Sequence, residues 1–279
     1  RAITQHEDYY SFFGLTSSSF SLIPNPKIFF PAKAHLECIE VLSFALNQGS
    51  LISVLTGEPG LGKTQVVLTL FSKLDQNIKP LYVLHPGISP LELYSSLAEE
   101  LNWSVSFGQK SKDGILKVLK NNLLEIQKSF QSLLIIIDEA QLLPLETLEE
   151  LRLLTNLTGS ENISLQIFLI GQPLLGEKLN QPNLSPLRQR ISIWEELKPL
   201  EKEEVLPYIW FRIKQVSQYP TLNILENIKK PLYKYTKGVP RLINKLMERT
   251  FLIAFFRKEK TIHKTHIKTA YNTFKKEIF

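Results

Sequence analysis

Five short apolar runs, separated by segments with helical periodicity, constrain the fold of this chain more than any other feature. The runs lack the polar alternation of a half-exposed strand. Strands that are apolar on both faces and alternate with helices indicate a parallel sheet covered on two sides by right-handed crossovers. We therefore predict a doubly wound α/β domain. The predicted strands are 51–56, 80–84, 133–137, 165–170 and 191–194, and the predicted helices are 33–48, 62–75, 89–101, 112–129 and 145–158.

A glycine-rich loop follows the first predicted strand. Residues 57–64 read Gly-Glu-Pro-Gly-Leu-Gly-Lys-Thr and match the P-loop pattern G-x-x-x-x-G-K-[ST] at every fixed position. Glycines allow backbone N–H groups to point at phosphates, and the N-terminus of the next helix adds partial positive charge. Lys63 would contact the β and γ phosphates, and Thr64 would hold Mg²⁺. The loop predicts binding of ATP with Mg²⁺ by Gly57, Glu58, Pro59, Gly60, Leu61, Gly62, Lys63, Thr64 and Gln65.

Two adjacent carboxylates end the third predicted strand. Asp138 and Glu139 directly follow five consecutive apolar residues. Ligands of parallel α/β sheets bind outside the carboxyl ends of the strands, so the pair is expected beside the phosphates. Asp138 would hold the magnesium, and Glu139 would polarise the attacking water. The pair therefore predicts ATP hydrolysis rather than binding alone.

Four more polar side chains have positions that would complete such a site. Gln172 follows the fourth strand, where an amide can bond to the γ-phosphate or the water; a simple turn is the alternative. Arg188 or Arg190, just before the fifth strand, could enter a neighbouring subunit's site as an arginine finger; a surface position is the alternative. Arg241 follows Pro240 at the start of a later helix and could reach back to the phosphates.

The strand pattern stops after Pro199, and four helical patterns follow at 201–218, 222–235, 239–257 and 263–277. This predicts a small all-α lid domain. We divide the chain into residues 1–48, an aromatic-rich lead-in and first helix that belong to the ATPase module; 49–199, the P-loop core; and 200–279, the helical lid.

Composition excludes some classes and favours others. Cys38 is the only cysteine, so no intrachain disulfide can form. No apolar run approaches the roughly 18–20 residues of a membrane-spanning helix. The net charge is +6 and the pI about 9.2, which is compatible with nucleic acid as a partner but also with a solvated helical face. The basic residues near the C-terminus are Arg257, Lys258, Lys260, Lys264, Lys268, Lys275 and Lys276.

Taken together, these motifs resemble the AAA+ ATPases, and more narrowly the ExeA/GspA group of secretion ATPases with the related MshM-type ATPases of pilus systems. The most specific strings are Asp-Glu-Ala-Gln at 138–141, Arg-Gln-Arg-Ile at 188–191 and Pro-Arg-Leu-Ile-Asn at 240–244. The resemblance covers most of the chain, from Tyr-Tyr-Ser-Phe-Phe-Gly-Leu at 9–15 onward.

The resemblance implies further roles. Gln172 would be sensor 1, Arg188 or Arg190 the finger and Arg241 sensor 2, and the segment 24–26, with Pro24, would lie near the adenine. Family members work as oligomers, often rings, and the secretion group assists the outer-membrane secretin through a partner protein. We expect a cytoplasmic protein, either a short member or the cytoplasmic domain of an inner-membrane protein.

One departure and two alternatives remain open. His85 stands where relatives usually have an Asn that often restrains the catalytic Glu; a turn residue is the preferred reading of His85, and a switch is the other. TnsC-type AAA+ regulators of transposition or replication share this architecture, so a DNA-binding function is the main alternative to secretion or pilus assembly. A third reading is a nucleotide-dependent scaffold with negligible turnover, which uses ATP only to lock an assembly.

Overall fold

The computed structural model describes residues 9–23, 28–83, 89–101, 111–128, 132–157 and 164–279. The chain divides into two compact units. The sheet unit comprises residues 37–59 and 66–197, and the helical unit comprises 1–36, 60–65 and 198–279. Each unit has its own cluster of buried apolar side chains.

The predicted parallel sheet is present in the sheet unit. Its strands are β1 (Ile52–Thr56), β2 (Ile78–Val83), β3 (Ser132–Ile137), β4 (Leu165–Gly171) and β5 (Ile191–Glu196). Their order is β2-β3-β4-β1-β5, and every pairing is parallel. All residues of β1, β3 and β4 are buried, which explains their uninterrupted apolar sequences. Pro80 lies in β2 at one end of this order, where a missing backbone donor is tolerated.

Helices join these strands where the periodicity predicts them, with shifted ends. They are α2 (Lys33–Asn47), α3 (Lys63–Phe71), α4 (Pro90–Glu100), α5 (Lys112–Gln127) and α6 (Leu145–Thr155). A further short helix, α1 (Tyr9–Phe12), lies in the lead-in and was not predicted. Two short helices, α7 (Pro173–Leu179) and α8 (Ser185–Arg188), lie between β4 and β5 and were not predicted. Each of these helices has two turns or fewer. Both have Pro near their first position, where its fixed φ suits the start of a helix.

The helical unit contains α9 (Val205–Lys214), α10 (Lys229–Thr236), α11 (Pro240–Phe256) and α12 (Lys264–Ile278). One detail corrects the prediction of helices alone after Pro199. Part of the predicted helix 222–235 is instead a strand, β6 (Asn223–Ile224), which pairs in parallel with β7 (Thr261–Ile262). Ile224 and Ile262 are both buried. Packing of these two β-branched side chains therefore favours the strand pair over the helix that the periodicity predicts.

The aromatic lead-in packs within the helical unit. The ring centroids of Phe13 and Phe20 lie 5.1 and 5.3 Å from that of Phe251 in α11. Arg212 of α9 donates to the carbonyls of Ser19 and Ser21, each at 2.7 Å. These contacts place the apolar surface of the lead-in inside a core that the local sequence does not reveal. The predicted domain limits at 48 and 199 stay predictions.

Among the helices that the structure describes, none combines the length and the apolar character needed to cross a membrane.

The lead-in makes a testable contribution to stability. Phe13 is fully buried, so Phe13→Ala should lower the free energy of unfolding by about 3–5 kcal/mol. Tyr219→Ala is the control, since that ring is 85% exposed and should cost less than about 0.5 kcal/mol. Urea unfolding followed by circular dichroism measures both; equal losses would contradict the packing described here.

Candidate active site

Three neighbouring strands end at one edge of the sheet, and a predicted site residue follows each. The loop begins at Gly57 after β1, Asp138 follows β3, and Gln172 follows β4. The backbone N–H of Gly57 donates to the carbonyl of Gly171 at 3.1 Å. Parallel pairing therefore gathers the start of the loop, the acidic pair and the predicted sensor at the same edge.

The acidic pair has a constrained backbone. The N–H of Glu139 donates to Oδ1 of Asp138 at 2.7 Å, and Glu139 adopts a left-handed conformation with φ of 51°. Such a conformation is uncommon for a residue with a side chain and concentrates at functional sites. Burial raises the pKa of Tyr82 in β2 to about 12, and the negative charge of Asp138 adds to the shift. The half-buried Asp138 and the exposed Glu139 thus lie in different environments.

Gln141 joins Glu139 to the end of β4. Its side-chain Nε2 donates to Oε2 of Glu139, and its Oε1 accepts the backbone N–H of Gln172 at 3.0 Å. A Cβ on Gly171 would lie 2.7 Å from this Oε1, so a side chain there would displace the amide from this position. The structure therefore ties Glu139 to the predicted sensor through a buried amide.

Gln141 is a site residue that residue-by-residue reasoning missed. The sequence signal that includes Gln141 is the Asp-Glu-Ala-Gln string at 138–141. By itself this string indicates a family resemblance and not a contact. Lys178 of α7 also escaped notice; its Nζ donates to the carbonyls of Gln141 and Leu143, the second at 3.0 Å. The contact across 37 residues has no local sequence pattern.

The glycines of the loop take conformations that a side chain would disfavour. The φ angles of Gly60 and Gly62 are +83° and +93°. A Cβ on Gly60 would lie 2.5 Å from Cβ of Arg241, whose backbone N–H donates to the Gly60 carbonyl at 3.1 Å. The α3 helix begins at Lys63. A loop of this shape at a helix N-terminus fits a phosphate group.

His35 of α2 is a second residue that sequence reasoning missed. It is 5% exposed, and its Nε2 lies 2.7 Å from the Leu61 carbonyl. Burial lowers the pKa of His35, against opposing effects of the Leu61 hydrogen bond and Glu204. Nearby, Gln65 Nε2 donates to the Ile28 carbonyl at 2.5 Å. The phosphate loop is thus held by residues from an earlier segment of the chain.

The two candidate fingers differ in their engagement. Arg188 Nη1 donates to the Leu179 carbonyl at 3.0 Å. Arg190 Nη1 instead meets three oxygen atoms at the end of α6, at 2.6–2.7 Å: the Arg152 carbonyl, Thr155 Oγ1 and Asn156 Oδ1. The guanidinium of Arg190 therefore holds the end of α6 to the segment before β5.

The other predicted residues are placed as follows. Glu58, Pro59, Thr64 and Arg241 are exposed, while Lys63 and Pro240 are half-buried. Pro240 is the first residue of α11. Pro24 and His85 lie outside the described residues, so their predicted roles are not addressed.

Comparison with known proteins places this geometry in a class. A family model described as an AAA domain matches residues 46–179. Cdc6p from Pyrobaculum aerophilum matches with a TM-score of 0.68 and 16% identity over 91% of this chain and 70% of that chain. RuvB from Thermotoga maritima, a Holliday junction branch migration motor, matches with a TM-score of 0.51 and 19% identity over 86% of this chain and 68% of that chain. The fold and the loop define an AAA+ P-loop protein.

Within that class the chain is similar to general secretion pathway protein A of Aeromonas hydrophila, with 35% identity over 260 residues. The match covers 91% of this chain and 46% of that protein. The chain is therefore a GspA-like AAA+ protein, and it spans about half the length of this relative.

The contacts of Arg190 make a prediction about stability. Arg190→Ala should lower the free energy of unfolding by about 1.5–3 kcal/mol, because hydrogen bonds from a charged group are lost at a helix end. Arg188→Ala, which removes one such bond, is the matched control and should cost less. Thermal unfolding of both variants measures the difference, and an equal or larger loss for Arg188→Ala would contradict the assignment of Arg190 as the structural arginine.

Proposed function

We propose that this protein binds ATP with Mg²⁺ on loop 57–64 and hydrolyses it. The observation that supports this most strongly is the pairing of β1 with β4 next to β3, because it brings Gly57, the first residue of the loop, and the acidic pair to one edge of the sheet. Left-handed glycines before a helix N-terminus favour a phosphate ligand, and a carboxylate pair at the adjacent strand end favours metal-assisted hydrolysis.

The residues of the loop have distinct roles in this proposal. Backbone N–H groups after Pro59, as far as Gln65, bind the phosphates, because Pro59 has no N–H and the N–H of Gly57 donates to the Gly171 carbonyl. Lys63 adds a positive charge at the β and γ positions. Thr64 and Asp138 hold the magnesium, which neutralises charge on the phosphates when bound. Pro240, Arg241 and the segment with Pro24 contribute to the nucleotide pocket as the family resemblance implies.

Glu139 acts as the general base that accepts a proton from the attacking water. The hydrogen bond from Gln141 occupies one oxygen of this carboxylate. Gln141 therefore restrains Glu139, and its second contact with the N–H of Gln172 links that restraint to the residue proposed to meet the γ-phosphate. In relatives, an Asn at the position of His85 often has this function.

Arg188 is the proposed finger, because the three contacts of Arg190 support a structural role. A finger acts in a neighbouring subunit's site, so the proposal includes self-association. Arg241 would sense the bound phosphates. By similarity to general secretion pathway protein A, we place this activity in envelope secretion or pilus assembly, as an oligomeric switch or motor on the cytoplasmic side with an assembly partner.

Removal of the base tests the chemistry. Glu139→Gln should lower the rate of phosphate release by about 10²–10⁴-fold, since it removes a general base but keeps the side-chain volume. Its affinity for ATP should stay within about twofold. Glu146→Gln, an exposed carboxylate in α6, is the control and should retain the wild-type rate. An unchanged rate in Glu139→Gln would overturn its assignment.

Mixed oligomers test the finger. Lys63→Ala should abolish ATP binding, and Arg188→Ala should bind ATP but lose turnover. A mixture of the two variants should regain activity, because each wild-type loop can meet a wild-type Arg188 in a neighbour. Each variant on its own gives the baseline. No recovery in a confirmed oligomer would contradict a finger acting in trans.

A second candidate function, DNA binding, is favoured by the segregation of charge. Residues 229–279 contain fourteen Lys or Arg and three Asp or Glu, a net charge of +11, so the remaining chain carries −5 of the total of +6. Lys264, Lys268 and Lys275 form an exposed row on α12 with Tyr271, whose ring stacks on Tyr235 of α10 at 3.8 Å.

The composition of this row fits the phosphates of DNA better than insertion into the apolar part of a lipid membrane. The apolar side of α12, with Ile267, Ala270 and Ile278, is already buried in protein. Apart from Glu277, its exposed positions carry Lys, Thr and Asn, which donate to phosphate oxygens in protein–DNA complexes. One structural neighbour, ORC1 of Aeropyrum pernix, was solved in complex with DNA; that chain matches at a TM-score of 0.62 and 19% identity over 92% of this chain and 69% of that one.

Charge reversal tests this candidate. Lys264→Glu, Lys268→Glu and Lys275→Glu together should weaken binding of a fluorescent duplex by about tenfold or more at low salt, with a shallower salt dependence. The control reverses three exposed lysines elsewhere, Lys73, Lys117 and Lys202, for the same change in net charge. Equal losses in the two triples, or binding of anionic vesicles in place of DNA, would reject the DNA candidate.

A further inference from the structure

A buried histidine contacts the phosphate loop from outside it. His35 lies in the first turn of α2 and is only 5% exposed. Its Nε2 is 2.7 Å from the carbonyl oxygen of Leu61. Leu61 is itself 1% exposed. The hydrogen bond between the His35 ring and the Leu61 carbonyl is therefore buried in the protein and does not lie on the surface.

The contact determines the tautomer of the ring. A carbonyl oxygen only accepts hydrogen bonds, so Nε2 of His35 must carry the proton and donate it. Nδ1 is then the bare nitrogen if the ring is neutral, and it is buried without a hydrogen-bond partner among the described residues. An unpartnered buried nitrogen is unfavourable for stability. Of the two ring nitrogens, only Nε2 therefore makes a hydrogen bond among the described residues.

The ring also packs against the next residue. A Cβ on Gly62 would lie 3.1 Å from His35 Nε2, and Gly62 has φ of +93°. Both observations disfavour a side chain at Gly62 while the ring is in place. His35 and Gly62 are thus matched to one another in space.

The consequence lies in the peptide group that joins Leu61 to Gly62. The Leu61 carbonyl and the Gly62 N–H belong to one peptide, and no described peptide in the chain is cis. In a trans peptide the N–H points away from the carbonyl. When His35 holds the carbonyl, the Gly62 N–H is turned to the opposite side.

The preceding peptide is held in the same way. The Gly60 carbonyl accepts the backbone N–H of Arg241 at 3.1 Å, so the Leu61 N–H is also turned away from its anchor. Two successive carbonyls of the loop are therefore engaged by protein donors. The N–H groups of the same two peptides, those of Leu61 and Gly62, remain for a ligand. Phosphate oxygens are the acceptors that such loops bind.

We propose that His35 is a positioning residue, which orients the Gly62 N–H toward the phosphates of the bound nucleotide by holding the Leu61 carbonyl. This inference rests on the proposed nucleotide site. His35 touches neither the nucleotide nor the water in this proposal, and it acts through the loop backbone. Affinity for phosphates should therefore depend on a donor at the position of Nε2.

Two substitutions separate the two ring nitrogens. Gln places an amide donor near the position of Nε2, whereas Asn is shorter and reaches only the position of Nδ1. His35→Gln should keep ATP affinity within about threefold, and His35→Asn should lose about tenfold, the loss expected for one hydrogen bond that orders the site. Titration calorimetry with MgATP, paired with thermal unfolding, measures both quantities.

His266→Ala is the control for burial alone. His266 is also fully buried in the helical unit, and its Nε2 lies 2.9 Å from Glu259. This variant should lower the melting temperature yet leave ATP affinity within about twofold of wild type. If wild type binds ATP and His35→Asn binds equally well, or loses no more than His266→Ala, the positioning role is wrong while the nucleotide site stands. If wild type binds no ATP, both the positioning role of His35 and the nucleotide site are wrong.

A measurement on the wild-type chain covers the case in which His35→Asn fails to fold. In ¹⁵N NMR spectra, addition of MgADP should shift the amide protons of Leu61 and Gly62 downfield, as phosphate oxygens accept them, while the His35 Nε2–H signal persists. An unshifted Gly62 amide in the nucleotide-bound protein would overturn the proposal.

Discussion

The parallel pairing of β1 with β4 is the interaction on which the candidate site depends. It aligns Thr56 with Gly171 and lets the first N–H of the loop bond to the end of β4. The pairing of β3 with β4 adds the acidic pair to the same edge. Residues far apart in the chain thereby become neighbours, because all three strands run in one direction. The strands themselves hold together because their side chains are buried on both faces.

Polar contacts then refine what the strands bring together. Gln141 connects the carboxylate of Glu139 with the backbone at Gln172. In the helical unit, His35 and Arg241 hold successive carbonyls of the loop. In both places a hydrogen bond joins segments that are far apart in the chain, and a glycine lies close to the side chain that makes it. Close approach thus explains the glycines at 60, 62 and 171, and a positive φ is a second reason at Gly60 and Gly62.

Much of this architecture could be predicted from the sequence. Uninterrupted apolar runs indicate buried strands, and the loop motif specifies its own context of strand and helix. The prediction of a parallel P-loop fold is confirmed by the sheet and by the structural neighbours. The contacts of Gln141, Lys178, His35 and Arg190 could not be predicted, because each depends on the tertiary arrangement of side chains and not on a local pattern. The packing of the lead-in escaped prediction for the same reason, since its aromatic rings contact α11 far along the chain.

The central claim is that the loop at residues 57–64 is a binding site for a nucleoside triphosphate. Titration of the folded wild-type chain with ATP in the presence of magnesium, followed by calorimetry, tests it most directly. We predict saturable heat with one nucleotide bound per chain and competition by ADP. The absence of any heat of binding from well-folded protein, at nucleotide concentrations into the millimolar range typical of weak enzyme substrates, would contradict the account.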